Sequence, residues 1–221
     1  DMETHAQLAP IILSLRERSE KNRYELLHTV DEFRSITELL LCLQDRRGLF
    51  ALMTGVMAIC GANIQHAKIF TLKNGVAVER FGLQDWHGKA FDMRQKEQDL
   101  HRTIAGALSG TLDMETELAR IRRDYPRKLE PFAFAPSIVI NNAISAAHTV
   151  IEVTAMDTLG LLHDISRVLH AEGLTISTAH IATYGEQAVD VFYVKDVYGM
   201  KVTHDDKIED IKTALYTALT T

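Results

Sequence analysis

The chain has 221 residues, of which 46% are hydrophobic and 24% are charged. This composition is ordinary for a soluble globular protein with one or two domains. The formal net charge of −6 argues against a general nucleic-acid surface, and no apolar stretch is long enough to span a bilayer or to act as a signal peptide. We therefore expect neither nucleic acid nor a membrane among its partners.

The first predicted element is an amphipathic helix over residues 1–22, with Leu8, Ile11, Ile12 and Leu15 on its apolar face. We interpret residues 1–23 as a helical tail rather than a domain. The chain opens with Asp1 rather than methionine, which is consistent with a piece excised from a longer protein.

Residues 24–112 predict a first domain of four strands and two helices. The strands are expected over residues 24–30, 36–43, 63–72 and 76–84. The first helix follows the loop Asp45–Gly48 and ends at Gly61, which adopts a left-handed conformation easily. Asn74-Gly75 is a strong hairpin signal between the last two strands.

Residues 113–136 predict a linker that starts as a helix and then contains prolines, and residues 137–221 predict a second domain. Its strands are expected over residues 138–141, 148–156, 176–184 and 188–196. Cys42 and Cys60 fall at apolar positions of the first domain. Buried, reduced cysteines are typical of the cytoplasm, so we expect a cytoplasmic protein.

The two domains repeat one sequence pattern. The motif Asp-x-x-Gly-Leu at Asp45–Leu49 returns 112 residues later at Asp157–Leu161, and the shift drops to 111 residues by Phe81 and Phe192. Such a repeat indicates two copies of one binding module rather than a single active site.

Each domain therefore predicts the order ββαββα, an α+β fold with an antiparallel four-stranded sheet and two helices on one face. The usual ferredoxin-like order is βαββαβ, in which the last strand lies beside the first. Neither domain has room for a strand after its second helix. We predict that the extra first strand fills that sheet edge by forming a hairpin.

The repeated loop lies at a strand-to-helix turn, where the local chemistry suits a zwitterion. A helix N-terminus leaves N–H groups unpaired and favours a carboxylate, and glycine lets a ligand approach the backbone. The aspartate can cap the helix or accept hydrogen bonds from a ligand ammonium group. A purely structural Asp-capped turn is the alternative.

Several segments carry a resemblance to a known family. Asp45–Phe50 and Gly61–Ile64 resemble the ACT domain, a small amino-acid-sensing module. Ala179–Gly185 and Val189–Asp196 resemble, more specifically, the C-terminal tandem ACT region of the bifunctional PII uridylyltransferase/uridylyl-removing enzymes. Residues 1–5 resemble the segment that joins the hydrolase domain of those enzymes to their ACT pair.

The resemblance implies two ferredoxin-like ACT modules that bind an amino acid, glutamine above all, and regulate a parent enzyme in nitrogen control. It implies no cofactor, and its implied partners are glutamine, the catalytic domains of the parent enzyme and the PII protein. The ACT modules would pair within the chain or in a homo-oligomer. Carried over residue by residue, the ligand positions of the first copy are Asp45, Arg46, Gly48, Leu49, Asn63 and Ile64. Those of the second copy are Asp157, Gly160, Leu161, Thr175 and Ile176.

Two departures from the family pattern affect these positions. Arg47 and Leu159 stand where ACT loops commonly have a proline, which makes the loops more flexible. Thr175 replaces Asn63 and lacks the amide that could both donate and accept a hydrogen bond. We therefore predict that the first module has the better polar site.

We predict no catalytic and no metal-binding residues in this chain. The histidines are scattered, and we interpret His163, in the His163-Asp164 pair, as a partly exposed capping residue. No Gly-rich phosphate loop or nucleotidyltransferase carboxylate motif is present, so uridylyltransferase activity would belong to other domains. Two alternatives remain: a ligand-free ACT pair that serves dimerisation or protein interaction, and an ACT regulator of another enzyme of amino-acid metabolism.

Overall fold

The computed structural model describes residues 23–124 and 134–220. The helix expected over residues 1–22 and the part of the linker over residues 125–133 lie outside the described residues. The fold below therefore concerns the two repeated units and the helix that follows the first of them.

The first unit is one four-stranded antiparallel sheet with two helices. In chain order its elements are β1 (Tyr24–Asp31), β2 (Ile36–Gln44), α1 (Leu49–Ile59), β3 (Asn63–Thr71), β4 (Val76–Gln84) and α2 (Met93–Ser109). The strands lie in the order β1-β2-β4-β3. The helix α3 (Met114–Asp124) follows and is the helical start expected for the linker.

The second unit repeats this architecture. Its elements are β5 (Ser137–Asn141), β6 (Thr149–Met156), α4 (Leu161–Ala171), β7 (Thr175–Tyr184), β8 (Gln187–Lys195) and α5 (Asp205–Thr220). The strands lie in the order β5-β6-β8-β7, again with antiparallel neighbours.

The predicted ββαββα order and α+β fold are confirmed in both units. The extra first strand does fill the sheet edge as a hairpin, since β1 pairs with β2 and β5 pairs with β6. The Asn-Gly signal is also confirmed, because Gly75 adopts a φ of +82° between β3 and β4 and the Val76 N–H donates to the Asn74 side chain.

The two units pair within the chain through one continuous apolar core. Phe81 of β4 and Phe192 of β8 are fully buried at equivalent positions of the repeat, and both belong to this core. The edge strands β3 and β7 lie beside each other, and α1 packs against α4. The helices run antiparallel: Gly48, before α1, contacts His170 near the end of α4, and Gly55 farther along α1 contacts His163 near its start.

Candidate functional site

Two cavities lie where the repeated units meet. The first, called the 45-loop cavity, has a volume of about 300 Å³ and is lined by the loop Asp45–Gly48. The second, called the 157-loop cavity, has a volume of about 30 Å³ and is lined by the loop Asp157–Gly160. Both repeated loops therefore face a cavity, as the sequence suggested for a binding loop.

Each cavity takes its two sides from different units. The 45-loop cavity is completed by Ser166 and His170 of α4 and by the start of β7 at residues 174–176. The 157-loop cavity is completed by Thr54 and Ala58 of α1 and by residues 62–64 at the start of β3. Every residue that lines the 45-loop cavity has its repeat equivalent in the 157-loop cavity.

The grouping of ligand positions by copy is therefore corrected. Asn63 and Ile64, which the sequence placed with the Asp45 loop, line the cavity of the Asp157 loop. Thr175 and Ile176 line the cavity of the Asp45 loop instead. The physical reason is the antiparallel packing of α1 on α4, which brings the start of each helix to the end of the other. The amide of Asn63 thus enriches the second loop's cavity, not the first.

The two glycines of the loops adopt the left-handed conformation at the start of a helix. Gly48 has a φ of +73° before α1, and Gly160 has a φ of +78° before α4. The N-cap position of each helix is the glycine itself, which has no side chain to cap the helix. Asp45 accepts a hydrogen bond of 2.7 Å from the Thr71 hydroxyl. The Asp45 carboxylate is thus tied to the end of β3 in its own unit.

Arg46 ties the first loop to its own unit. Its guanidinium donates to the carbonyl oxygen of Leu108 at 3.2 Å, near the C-terminal end of α2. A cation is favoured there because the last carbonyls of a helix carry partial negative charge. Arg46 also lines the 45-loop cavity, so the same residue fixes the loop and contributes positive charge to the cavity.

The structure adds two buried acids that sequence reasoning missed, Glu79 on β4 and Asp190 on β8. Each is 1% exposed, and each lines a cavity, Glu79 that of the 45-loop and Asp190 that of the 157-loop. They stand 111 residues apart, at equivalent positions of the repeat. The repeat could have revealed them, since their neighbours were aligned, but the residue types differ and an acid in a strand is usually solvent-facing.

Burial raises the pKa of both acids. Desolvation, together with repulsion from Asp45, raises the pKa of Glu79 to about 8. Desolvation and repulsion from Asp157 raise the pKa of Asp190 to about 7, although the backbone N–H of Ala182 lowers it. One carboxyl oxygen of each acid, Oε2 of Glu79 and Oδ1 of Asp190, has no hydrogen-bond partner. Each cavity therefore contains a pair of carboxyl groups, one of which is deeply buried.

His163 joins the two units rather than capping a helix. It is buried, and its Nδ1 lies 2.7 Å from the carbonyl oxygen of Ala51 in α1. Because a carbonyl only accepts, Nδ1 carries the proton, and burial lowers the pKa of His163. The expectation of a partly exposed capping residue is therefore wrong.

The helix α3 holds the loop of the 157-loop cavity. Arg122 donates from Nε to the carbonyl oxygen of Leu159 at 3.0 Å and from Nη2 to the carboxylate of Asp164 at 2.6 Å. A Cβ on Gly160 would lie 2.8 Å from the same guanidinium, and Leu118 packs against Leu159. The smaller cavity thus has a braced loop.

Within residues 23–124 and 134–220, no group of three or more His, Cys, Asp or Glu side chains is arranged to hold a metal ion. Among the helices of these same ranges, none is both long and apolar enough to cross a membrane. Cys42 and Cys60 are buried free thiols, and burial raises the pKa of both.

Residues 144–221 match the family model of the ACR family N-terminal ACT domain. With the repeated ββαββα fold, this match defines the class of the protein: the chain is a tandem pair of ACT domains. The particular proteins that it resembles are bifunctional uridylyltransferase/uridylyl-removing enzymes.

Three such relatives span most or all of the chain. The enzyme of Azospirillum brasilense is 42% identical over 191 residues, covering 86% of this chain and 20% of that enzyme. The enzyme of Rhodospirillum rubrum is 36% identical over 220 residues, covering 100% of this chain and 23% of that enzyme. That of Gluconobacter oxydans is 38% identical over 206 residues, covering 91% and 22%. The chain thus spans about a fifth of the length of the curated relatives it matches.

Among solved structures, an unknown protein from Galdieria sulphuraria matches 82% of this chain and 89% of its own, with 13% identity and a TM-score of 0.26. This likeness is too weak to support any conclusion about the fold or the site.

Proposed function

We propose that this chain is the amino-acid-sensing regulatory region of a cytoplasmic PII uridylyltransferase/uridylyl-removing enzyme, and that glutamine is its ligand. One observation carries the proposal: each interface cavity combines a helix N-terminus, a left-handed glycine and a pair of carboxyl groups. These groups are complementary to the carboxylate and the ammonium group of a free amino acid.

The size of the 45-loop cavity supports a small ligand. Its volume of about 300 Å³ lies at the lower end of the range for small-molecule sites. The 157-loop cavity, at about 30 Å³, has the volume of about one water molecule in the liquid. We therefore infer that glutamine enters the 45-loop cavity first, and that the second cavity binds only when its loop moves.

The ligand would act on the arrangement of the two units. Because both sides of a cavity come from different units, a bound amino acid stabilises the mutual arrangement that best surrounds it. A ligand shifts such an equilibrium only by its difference in affinity for the two arrangements. In the parent enzyme, this shift would favour removal of the uridylyl group from PII over its addition.

Catalysis is assigned to domains outside this chain. The proposal expects no uridylyltransferase turnover when the chain is mixed with PII, UTP and Mg²⁺. Turnover by the purified chain would overturn that assignment.

Calorimetry with glutamine and a panel of other amino acids tests the sensor function directly. We expect heat with glutamine, and a loss of affinity of about tenfold or more in Asp45→Asn, which removes a charge that would pair with the ammonium group. Absence of heat with every amino acid would contradict the proposal. The chain would then serve as a ligand-free pair for dimerisation or protein interaction.

A further inference from the structure

We propose that each cavity holds the ammonium group of its ligand between two carboxyl groups, one from the loop and one from the sheet. The pairs are Asp45 with Glu79 in the 45-loop cavity and Asp157 with Asp190 in the 157-loop cavity. This inference rests on the proposed function and names the chemical group that the site recognises. It also couples ligand binding to the release of a proton.

The sheet surrounds both buried acids with apolar neighbours. Glu79 lies between Leu41 on β2 and Ile69 on β3. Asp190 lies in the same way between Val153 on β6 and Ile181 on β7. All four of these neighbours are buried hydrophobic residues. The directly paired positions therefore offer the acids no polar side chain. Thr71 on β3 and Thr183 on β7 also line the cavities, and the Thr71 hydroxyl already donates to Asp45.

An unpartnered buried oxygen is costly and uncommon in a native protein. Oε2 of Glu79 and Oδ1 of Asp190 have no hydrogen-bond partner, and both residues are only 1% exposed. A ligand that donates hydrogen bonds in each cavity would satisfy these atoms. The same orphaned group occurs at two equivalent positions of the repeat, which favours a shared binding role.

A pair of carboxyl groups is kept in both cavities. Several other polar lining positions have diverged between the cavities, as in Arg46 against Thr158, His170 against Ala58 and Thr175 against Asn63, whereas Thr71 and Thr183 are the same residue in both. A carboxyl group nevertheless stands at both acidic positions in both cavities. The two cavities can therefore differ in the ligand side chain that they admit while they bind the same charged group.

Two carboxyl groups in one cavity favour a cation over a neutral amide. Burial and, after it, repulsion from Asp45 favour the protonated form of Glu79. An ammonium group placed between them attracts both and favours the ionised form. The Glu79 carboxylic acid then loses its proton to the buffer, and the ligand ammonium keeps its three protons.

Other titratable and basic side chains line the two cavities together with these acids. In the 45-loop cavity they are Arg46, Arg47 and His170, and Arg46 donates to the Leu108 carbonyl. In the 157-loop cavity His163 donates to the Ala51 carbonyl, and burial lowers its pKa. Affinity for an amino acid should therefore rise with pH up to about pH 8, as Glu79 ionises more readily.

Calorimetry in two buffers of different ionisation enthalpy, phosphate and Tris, tests the inference on the whole 221-residue chain at pH 7. With L-glutamine as the probe, we expect the release of about one proton per bound ligand, since Glu79 begins mostly protonated. Glu79→Gln should abolish this release and weaken binding by about tenfold or more. Glu152→Gln, an exposed acid on β6, is the matched control and should change neither quantity. The 2-hydroxy acid analogue of glutamine, which lacks the ammonium group, should not bind.

The outcomes separate this inference from the proposed function. Heat with L-glutamine that is equal in both buffers, or proton release that persists when Glu79→Gln and Asp190→Asn are combined, would overturn the ammonium assignment and leave the sensor function standing. Tight binding of the 2-hydroxy acid would do the same. No heat with any amino acid would overturn both. Asp190→Asn, combined with Glu79→Gln, checks whether residual proton release comes from the second cavity.

Discussion

The imidazole of His170 lies against Gly48 across the interface of the two ACT units, so that a Cβ on Gly48 would come within 3.0 Å of two ring atoms. The contact fixes the first binding loop against the end of the opposite unit's helix α4. The contact leaves no room for a side chain at position 48. The φ of +73° at Gly48 is a second reason for glycine there, because other residues rarely adopt it.

Gly48→Ala should therefore destabilise the chain in two ways. The alanine is strained at a positive φ, and its Cβ also collides with the His170 ring. We expect a loss of about 2–3 kcal/mol in the free energy of unfolding, measured with denaturant. Gly88→Ala is the matched control, because Gly88 has nearly the same φ of +72° but no atom within 4 Å of the added Cβ. Its loss should be about 1 kcal/mol. Equal losses in the two variants would show that the His170 contact does not matter.

Arg122 should control the mobility of the second binding loop. Arg122→Ala removes the donors to Leu159 and Asp164, so amide hydrogen exchange over residues 158–164 should rise by about tenfold. Arg120→Ala is the control in the same helix, since Arg120 pairs only locally with Glu117. If the two variants exchange alike over this segment, α3 does not brace the loop.

Glu79 should make the stability of the chain depend on pH. Its folded-state pKa is raised to about 8 from 4.5, so the native state favours the protonated acid. The contribution of protonated Glu79 to the free energy of unfolding is fully present below about pH 4.5, and it is lost as the pH rises toward about 8.

Glu79→Gln, which keeps the shape of the neutral acid, should therefore be more stable than the natural chain at pH 8, by about 2 kcal/mol. The difference should shrink toward pH 5. Denaturant unfolding at both pH values measures it, with Glu152→Gln as the exposed control. A constant difference between pH 5 and pH 8 would contradict the assignment.

Each cavity is lined by the loop of one unit and by residues of the other unit, and this arrangement predicts which pairs of substitutions have coupled effects on glutamine binding. Asp45→Asn and Thr175→Ala act on one cavity, so their effects on the free energy of glutamine binding should not add. Asp45→Asn and Asn63→Ala act on different cavities, so their effects should add within about 0.5 kcal/mol. Calorimetry of the single and double variants measures both cycles. Coupling of Asp45 to Asn63 instead would restore the same-copy grouping.

Much of the fold could be predicted from local signals. The repeat at Asp45–Leu49 and Asp157–Leu161 identified the duplication, and the alternation of apolar residues and the turn at Asn74-Gly75 placed the strands. The extra edge strand followed from the lack of room after α2 and α5. These features depend on residues near one another in sequence.

The pairing of each loop with residues of the opposite unit could not be predicted in the same way. Nothing local to Asn63 says that it faces Asp157, because that contact depends on which sheet edges meet. The burial of Glu79 and Asp190 could not be predicted from the sequence for a related reason. An acid in a strand usually faces solvent, and only the helices packed over the sheet make these positions interior.

Hydrogen exchange with and without L-glutamine tests most directly whether an amino acid binds between the two units. Protection should appear together over residues 45–52 of the first unit and residues 170–176 of the second, which face the same cavity. Protection confined to residues 45–64 of the first unit, or no protection at all, would contradict the account.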